Sequence, residues 1–299
     1  MRYGYDAIGR RASMSVNGLP PVTYAYDKAS RLTQVARGAQ SVDLGYDVAG
    51  RRTSLTYPNG VTTNYRYDFA SRLNEILHQG PNAVVEKLLY TYDAAGNRIS
   101  FNRTNPQADL PAEVQAAYNV ANQMIQFNSP TPNLTYDANG NLTSDGEKTY
   151  SWDARNRLIG ISSLSSPPPS TGEGWVGVAS FTYDALGRRI SKTVNGVQTD
   201  YLYDGNDIVA EIQNNTITAT YLRSLNIDEP FVRTTATGQE FYHTDALGSV
   251  VALTDETGTV RTTYTYDPFR KTTITGTSTN PFQYTGRENK KLGYGVSYQ

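Results

Sequence analysis

A tyrosine-aspartate doublet recurs along almost the whole chain at nearly constant intervals. The doublets begin at Tyr5, Tyr26, Tyr46, Tyr67, Tyr92, Tyr136, Tyr183, Tyr203 and Tyr266. The first three steps, from Asp6 through Asp27 and Asp47 to Asp68, are 21, 20 and 21 residues long. A fixed period of this size is typical of a repeat architecture, in which each unit contacts mainly its neighbours. Such a chain is better suited to form a surface or a container than a single catalytic pocket.

Each repeat predicts a β-hairpin. Large aromatic residues alternate with small or polar ones before each doublet, as in residues 24–26, and a period of two is typical of a strand. The next residues read Asp-x-x-Gly, in which the Asp carboxylate accepts hydrogen bonds from backbone N–H groups and the Gly supplies a positive φ. Three copies carry Ser30, Ser71 or Asn156 at the Gly position. Asn tolerates a positive φ, and Ser does so less well.

Two further positions complete the repeat. An Arg often follows the turn, at Arg10, Arg31, Arg51, Arg72, Arg157 and Arg188. It either joins neighbouring repeats, by stacking on a Tyr or pairing with an Asp, or is simply solvated. The dipeptide Asn-Gly at 17–18, 59–60 and 195–196 indicates a tight hairpin turn at the far end. One repeat is therefore two strands and two turns, and successive repeats predict one long antiparallel sheet.

We assign the motif residues a structural role. They are Tyr5, Asp6, Gly9, Tyr26, Asp27, Tyr46, Asp47, Gly50, Tyr67, Asp68, Tyr92, Asp93, Gly96, Tyr136, Asp137, Gly140, Trp152, Asp153, Tyr183, Asp184, Gly187, Tyr203, Asp204, His243, Asp245, Gly248, Tyr266 and Asp267. Paired acids in general acid-base catalysis lie within about ten ångströms of each other. Here one acid recurs at each equivalent turn, which favours turn-holding. We therefore predict no catalytic, cofactor-binding or metal-binding residues.

Composition argues against several classes of function. The 299 residues carry a formal net charge of −1 and include no cysteine, which disfavours a nucleic-acid interface and excludes disulfides, thiolate metal sites and a cysteine nucleophile. No apolar run approaches the roughly 20 residues that span a bilayer, and the N-terminus lacks the apolar core of a signal peptide. The 23 Tyr hydroxyls need partners, which predicts a thin sheet with water on one or both faces.

The repeats and a C-terminal segment resemble a known family. The Tyr-Asp-x-x-Gly-Arg pattern over residues 3–288 resembles the YD repeats of the RHS and teneurin-like shell family. Residues 242–250, 264–269 and 282–288 resemble its RHS repeat-associated core domain. The resemblance implies a β-sheet that spirals into a hollow shell. In bacterial members such a shell encloses a C-terminal toxin, and in teneurins a similar shell belongs to an adhesion ectodomain.

The same resemblance divides the chain into segments. We expect a YD-repeat sheet over residues 1–239, with an exposed loop insertion at 162–177 that is rich in Pro and Ser. A core-like segment follows over 240–288, and a divergent tail over 289–299.

The chain also departs from the family pattern. Arg270 stands where members usually have Gly, and residues 289–299 replace the usual Gly-Leu-Tyr-Tyr segment and Asp-Pro-x-Gly self-cleavage site. The resemblance thus implies a C-terminal fragment without its toxin or cleavage site. Its expected partners are the missing N-terminal shell and the C-terminal toxin of a longer RHS protein, with glycans as further candidates. Open sheet edges predict self-association. The family implies a secreted or cell-surface location in bacteria, with a cytoplasmic stage before export.

Three short motifs suggest chemistry, and each has a simpler explanation. The sequence His243-Thr244-Asp245 would supply half of a catalytic or metal site, but the other histidine, His78, is far away in sequence. A partly exposed His at a hairpin end is favoured. Residues 172–177 match Gly-x-Gly-x-x-Gly, but no helix follows them. Residues 137–148 begin like a calcium loop, but Leu142 and Lys148 stand where Gly and Glu are required.

The sequence therefore predicts an all-β protein of stacked antiparallel hairpins that form a curved or spiralling sheet. We expect a non-enzymatic part of an RHS-type shell that encapsulates or presents a C-terminal effector, with no cofactor. The alternative is a teneurin-like adhesion or carbohydrate-recognition module, in which Tyr rings on one sheet face bind sugar or peptide. Cross-strand aromatic packing is the simpler role for those rings. A hydrolase is the remote alternative.

Overall fold

The computed structural model describes residues 1–104, 115–127, 133–164, 179–267 and 272–288. These residues form 26 β-strands and one short 3-10 turn, and no α-helix. The chain divides into two compact units. The first contains Met1–Ala108 together with Ala219–Lys291, and the second contains Asp109–Thr218. The division predicted at residue 239 concerns motifs, not compact units, and stays a prediction.

The first unit begins with a ten-stranded sheet. Its strands are β1 (Arg2–Tyr5), β2 (Arg11–Ser15), β3 (Val22–Tyr26), β4 (Leu32–Arg37), β5 (Gln40–Tyr46), β6 (Arg52–Thr56), β7 (Thr62–Tyr67), β8 (Leu73–Gln79), β9 (Val84–Tyr92) and β10 (Arg98–Arg103). They lie side by side in chain order, and each pair is antiparallel, as in β3 with β4. Only short turns separate the strands, so each strand pairs with its neighbour in sequence.

The second unit continues the same pattern. Its strands are β11 (Ala116–Tyr118), β12 (Met124–Phe127), β13 (Thr135–Tyr136), β14 (Leu142–Ser144), β15 (Lys148–Trp152), β16 (Leu158–Ser163), β17 (Ala179–Tyr183), β18 (Arg189–Val194), β19 (Val197–Asp204) and β20 (Asp207–Gln213). Strands β11 and β12 pair as a separate hairpin, and β13 to β20 follow in chain order.

The remaining strands return the chain to the first unit. They are β21 (Thr216–Arg223), β22 (Pro230–Thr235), β23 (Gly238–Thr244), β24 (Val250–Thr254), β25 (Val260–Tyr266) and β26 (Thr272–Gly276), followed by a 3-10 turn at Tyr284–Gly286. Only the first residues of β21 fall in the second unit. These strands also lie in chain order, so the predicted all-β fold of stacked antiparallel hairpins is confirmed.

Most of the doublet turns share one geometry, and Tyr203-Asp204 is an exception, because there Asp204 pairs directly with Asp207 across a tighter turn. In the β3–β4 hairpin the Asp27 N–H donates to the Arg31 carbonyl, and the Ser30 N–H donates to the Asp27 carbonyl, both at 3.0 Å. The pairing register shifts next to Tyr26. This is a type I turn closed by one residue at positive φ, with a bulge in the strand. The sequence Asp-x-x-Gly specifies the turn, because its last position needs a positive φ.

The Asn-Gly dipeptides behave less uniformly than predicted. Asn195 and Gly196 form the expected two-residue turn, with φ of 49° and 80°, between β18 and β19. At Asn59-Gly60 the loop is wider, because the Gly60 N–H donates to the Tyr57 carbonyl at 3.1 Å. Asn59 is buried, and its side-chain amide donates to the Thr254 hydroxyl and the Asp255 carbonyl. The Asn59 side chain is thus engaged in tertiary contacts. The Asn17-Gly18 loop is also wider, since residues 16–21 separate β2 from β3.

The core of the first unit lies between the ten-stranded sheet and the C-terminal strands. Ile76, Leu88 and Tyr90 on β8 and β9 form one buried cluster with Val251 on β24. Burying each large apolar side chain contributes about 1.5–3 kcal/mol. Because β21 to β24 cover part of one face of the sheet, that face is drier than the Tyr content predicted.

Several predicted features lie partly or wholly outside the described residues. Strand β16 runs through Ser163, which is two residues into the insertion predicted at 162–177, and residues 165–178 lie outside the described part. The glycine motif at 172–177, Arg270 and the tail at 289–299 also lie outside the described residues.

Candidate functional site

Eight of the repeat carboxylates are engaged within their own turns, at Asp6, Asp27, Asp47, Asp68, Asp93, Asp137, Asp153 and Asp184. Oδ1 of Asp27 accepts hydrogen bonds from the N–H groups of Ala29 and Arg31, both at 2.9 Å, and Oδ2 accepts from Arg31 Nε at 2.7 Å. The backbone bond from Arg31, assisted by its side chain, lowers the pKa of Asp27 despite desolvation. The equivalent Arg pairs are found at Asp6, Asp47, Asp68, Asp153 and Asp184.

Two turns use an Asn in place of the Arg. Asn97 donates its side-chain amide to Asp93, and Asn141 donates to Asp137, both at 2.9 Å. These acids stand one at each turn. Within the described ranges, no group of three or more His, Asp or Glu side chains could hold a metal ion.

The Arg after each turn also reaches the next repeat. The guanidinium of Arg31 lies over the ring of Tyr46, 5.1 Å from its centroid, and its Nη1 donates to the Asp47 carbonyl at 2.9 Å. The same stacking occurs in the pairs Arg10–Tyr26, Arg51–Tyr67, Arg72–Tyr92, Arg157–Tyr183 and Arg188–Tyr203. Of the two roles that the sequence left open for this Arg, the structure shows the one that joins repeats.

The aromatic residue of every doublet after the first completes the connection. The hydroxyl of Tyr46 donates to the Leu32 carbonyl of the preceding repeat at 2.9 Å. An equivalent bond to the preceding repeat comes from Tyr26, Tyr67, Tyr92, Tyr136, Trp152, Tyr183, Tyr203 and Tyr266. At Trp152 the indole N–H replaces the hydroxyl. We call the Asp–Arg pair and the aromatic residue of the following repeat a repeat staple. Through these bonds the Tyr hydroxyls find hydrogen-bond acceptors within the protein and do not depend on water.

The non-glycine residues at the positive-φ position add a contact of their own. Ser30, Ser71 and Asn156 have φ of 61°, 63° and 58°. Their side chains accept hydrogen bonds from the preceding repeat: Arg10 Nη1 donates to Ser30 Oγ at 3.2 Å, and Arg51 Nη1 donates to Ser71 Oγ at 3.0 Å. These bonds offset the strain of a non-glycine residue at positive φ.

The two histidines meet in the core of the first unit, and the prediction of a partly exposed His243 was wrong. Both side chains are buried, and their ring centroids lie 5.2 Å apart. His78 Nε2 donates to the Thr244 carbonyl at 3.0 Å, and His78 Nδ1 lies 2.7 Å from Thr63 Oγ1. His243 comes from β23, whose end packs on the ten-stranded sheet instead of facing solvent. No local sequence signal marks this contact.

The surroundings of the pair keep both imidazoles neutral. Burial lowers the pKa of His78 to about 4. Burial and the nearby His78 hold the pKa of His243 well below its usual range. His243 Nε2 lies 2.9 Å from Thr254 Oγ1, while its Nδ1 has no hydrogen-bond partner among the described residues.

The turn of Asp245 differs from the others. Ser249 occupies the position of the repeat Arg, and Oδ1 of Asp245 accepts from the N–H groups of Leu247 and Ser249. The Tyr90 hydroxyl accepts from the Ala246 N–H at 3.1 Å. Desolvation raises the pKa of Asp245. This turn is therefore closed by the ten-stranded sheet instead of by an Arg.

A buried arginine of the sheet and a partly buried ion pair also connect the two parts of the first unit. Arg103 Nη2 lies 2.6 Å from Glu86 Oε2, with 4% and 0% of the side chains exposed, and Arg103 Nη1 donates to the Tyr264 carbonyl at 3.0 Å. A second pair joins Arg52 to Glu229. The C-terminal strands are thus attached to the sheet by charged as well as apolar contacts.

The hairpin fold and the repeat staple define a β-repeat protein of the shell type. The teneurin YD-shell family model matches residues 1–80 and 60–286, so the chain belongs to this family, and the resemblance noted from the sequence is confirmed. No helix in the described part of the chain is long and apolar enough to cross a membrane.

Two curated relatives are bacterial nucleases. The chain is 31% identical over 205 residues to the tRNA3(Ser)-specific nuclease WapA of Bacillus spizizenii and 30% identical over 204 residues to the tRNA nuclease WapA of Bacillus subtilis. Each match covers 66% of this chain but only 8% of the relative.

Solved structures with the same fold come from toxin complexes. The chain matches one in the Photorhabdus luminescens Tc holotoxin pore with a TM-score of 0.69 and 19% identity, over 99% of this chain and 19% of the other. The match to the crystal structure of TcdB2-TccC3-Cdc42 has the same TM-score and identity, over 97% of this chain and 19% of the other. This likeness shows the fold alone.

Proposed function

We propose that the chain is a non-enzymatic section of wall in an RHS-type shell that encapsulates or presents a C-terminal effector. The observation that carries the proposal is the series of contacts between repeats, in which a backbone carbonyl of one repeat accepts a hydrogen bond from the aromatic residue of the next, and in six cases an Arg also lies over that aromatic ring. A wall needs this kind of continuity, because an unpaired sheet edge exposes backbone groups and breaks the barrier.

The engagement of the repeat acids supports a structural role. In Asp6 and Asp27 both carboxylate oxygens accept hydrogen bonds within the turn. A general acid or base needs an oxygen that is free to reach a substrate. The relatives are named as nucleases, but the matched region is 8% of their length, and we assign that activity to other parts of those proteins.

The expected partners follow from the same proposal. They are further shell repeats and an effector in one longer polypeptide, the partners that the family resemblance implies. The self-association and glycan binding expected from the sequence stay predictions.

Protection of cargo tests the proposal. The polypeptide encoded by the natural reading frame would be purified, and the protease sensitivity of its proposed effector segment compared with that in a variant carrying Arg31→Ala, Arg51→Ala and Arg72→Ala. Protection in the parent and cleavage in the variant are expected. Equal cleavage in both would contradict the shell.

An activity measurement tests the non-enzymatic part. The purified chain of 299 residues is expected to leave RNA intact. RNA cleavage that purifies with the chain and is lost in a repeat-acid variant such as Asp153→Asn would overturn this part.

A further inference from the structure

Four Asn-Gly dipeptides lie in turns of this chain, and their surroundings differ. They are residues 17–18, 59–60, 139–140 and 195–196. An Asn that precedes Gly is prone to deamidation, because Gly has no side chain to shield its backbone nitrogen from the Asn side chain. The reaction needs a side chain that is free to move and a backbone nitrogen that is free to attack it, so the fold decides which of the four dipeptides reacts.

Asn17 and Asn195 are the least restrained of the four. Both side chains are exposed and make no hydrogen bond within the described ranges. The N–H groups of Gly18 and Gly196 also make no hydrogen bond there, since the two turns are closed by the residues that flank the dipeptides. In these two turns both the side chain and the attacking nitrogen are free.

Asn59 and Asn139 occupy the same position in the same kind of turn. In both turns the N–H of the following Gly donates to the carbonyl three residues earlier at 3.1 Å, and a second backbone bond of 2.9 Å closes the turn. The attacking nitrogen is therefore restrained equally. The Asn139 side chain is exposed and has no hydrogen-bond partner among the residues that the structure describes, so only its backbone is held.

The Asn59 side chain, in contrast, is held by the C-terminal strands. It is 8% exposed, and its Nδ2 donates to Thr254 Oγ1 at 2.9 Å and to the Asp255 carbonyl at 2.7 Å. Its Oδ1 accepts from the Val61 N–H at 3.2 Å. Thr254 ends β24, and Asp255 begins the turn that follows it. The Asn59 amide is therefore released only when this part of the chain moves away from the ten-stranded sheet.

We propose that Asn17 and Asn195 are sites of spontaneous deamidation in the folded chain, that Asn139 reacts more slowly, and that Asn59 reacts only when the C-terminal strands separate from the sheet. The Gly nitrogen forms a bond to the Asn Cγ, and the side-chain nitrogen leaves as ammonia with the proton of the Gly N–H. Water then opens the succinimide ring at either carbonyl, which yields Asp or isoaspartate. Each event adds one negative charge to a chain whose formal net charge is −1. The inference does not depend on the shell proposal.

Peptide mapping of the aged protein tests the proposal. The folded chain is incubated in mildly alkaline buffer made with oxygen-18 water, and the loss of each unmodified Asn-Gly peptide is followed by mass spectrometry. We expect Asn17 and Asn195 to react fastest, and Asn59 to react at least roughly tenfold more slowly than Asn139, because Asn59 reacts only from an opened state of higher free energy. In concentrated urea the four rates should approach one another.

Two outcomes of the mapping would overturn the proposal. Equal rates at Asn59 and Asn139 in the folded chain would show that the side-chain contacts of Asn59 do not protect it. Differences that persist in concentrated urea would show that the neighbouring residues in sequence set the rates, and the fold does not.

A substitution at the acceptor isolates the tertiary protection. Thr254→Val removes one acceptor of the Asn59 amide and should raise the Asn59 rate severalfold without changing the Asn139 rate. Thr199→Val is the matched control, because Thr199 is also buried and its hydroxyl accepts a side-chain amide, that of Gln213 at 2.9 Å. An Asn59 rate that is the same in both variants would contradict protection by β24.

Variants that mimic the product give a measurement that does not depend on the folding of Thr254→Val. Asn59→Asp replaces a donor of two hydrogen bonds with a buried carboxylate that faces the Asp255 carbonyl, and such a group is destabilising without a partner. Asn139→Asp makes the same change in an exposed turn. We expect Asn59→Asp to lower the urea midpoint of the first unit, or to prevent its folding, and Asn139→Asp to leave the urea midpoint nearly unchanged. Equal, small shifts in both variants would refute the role of Asn59 as an amide held by the C-terminal strands.

Discussion

The turns of the ten-stranded sheet and the turn at Asp245 use the same motif in two different environments. At Asp27 the turn is open to water, and an Arg holds the carboxylate in its charged form with a lowered pKa. At Asp245 the turn is packed on the sheet, no Arg follows, and the pKa is raised. The motif therefore fixes only the local turn, while the elements that pack against the turn decide the pKa of its carboxylate.

The largest effect is expected where the C-terminal strands are attached by a buried charge. Arg103→Ala would leave the buried carboxylate of Glu86 without its cation, and such a loss destabilises by about 3–5 kcal/mol. Urea denaturation of the variant measures the change in the free energy of unfolding. Arg66→Ala is the matched control, because Arg66 is 72% exposed in its pair with Glu75, and exposed pairs contribute up to about 1 kcal/mol. Similar losses in both variants would show that burial of the Glu86 pair is irrelevant.

The histidine pair predicts a loss of stability in mild acid that an Arg-stapled turn does not. His78 has a folded pKa of about 4 against about 6.5 in an unfolded chain. The unfolded chain therefore binds more protons between these values, and stability falls as the pH drops below about 6.5. The effect from His78 is on the order of 3 kcal/mol by pH 4. His243 adds to it in the same direction, since its pKa is also lowered.

The contributions of other charged and aromatic groups near the pair have to be distinguished from the effect of the imidazoles on stability. Glu86 and Arg103 form their own ion pair, and Tyr57 packs on His243. Asp245 acts in the opposite direction, because its folded pKa is raised and the folded chain keeps that proton to higher pH. Urea midpoints measured from pH 7.5 to 4.5 for the parent and for His78→Gln isolate the imidazole. An unchanged pH dependence in His78→Gln would contradict the assignment.

The sequence predicted the turns well because their determinants are local. Asp27, Ser30 and Arg31 lie within five residues of each other, and the positive φ at the fourth position follows from steric rules alone. The contact between His78 and His243 could not be predicted, since it depends on how β23 packs on β8. The Arg stacking was left open for a related reason. It requires the register of the following repeat, which alternating residues do not fix by themselves.

A glycine in a stapled turn of the second unit is expected to show a smaller effect. Gly187 has φ of +86°, and an added Cβ would meet nothing within 4 Å, so strain is the whole effect. Gly187→Val should lower the free energy of unfolding by about 1–3 kcal/mol, measured by urea denaturation. Gly187→Asn is the control, because Asn156 adopts φ of 58° at the equivalent position. Its loss should be clearly smaller, and equal losses would show that backbone strain is not the cause.

The smallest effect concerns a single staple, and a double-mutant cycle is needed to see it. Arg31 over Tyr46 is partly exposed, and a cation–π contact of this kind contributes about 0.5–1 kcal/mol. Arg31→Gln, Tyr46→Leu and the double variant, compared by urea denaturation, give the coupling energy between the two side chains. A control cycle mutates Asn97 and Tyr92 singly and together. It should give no coupling, because Asn97 and Tyr92 belong to the same repeat and do not form a staple. No measurable coupling between Arg31 and Tyr46 would mean that the Arg acts only inside its own turn, and the continuity of the wall would then depend on strand pairing and the tyrosine hydroxyls alone.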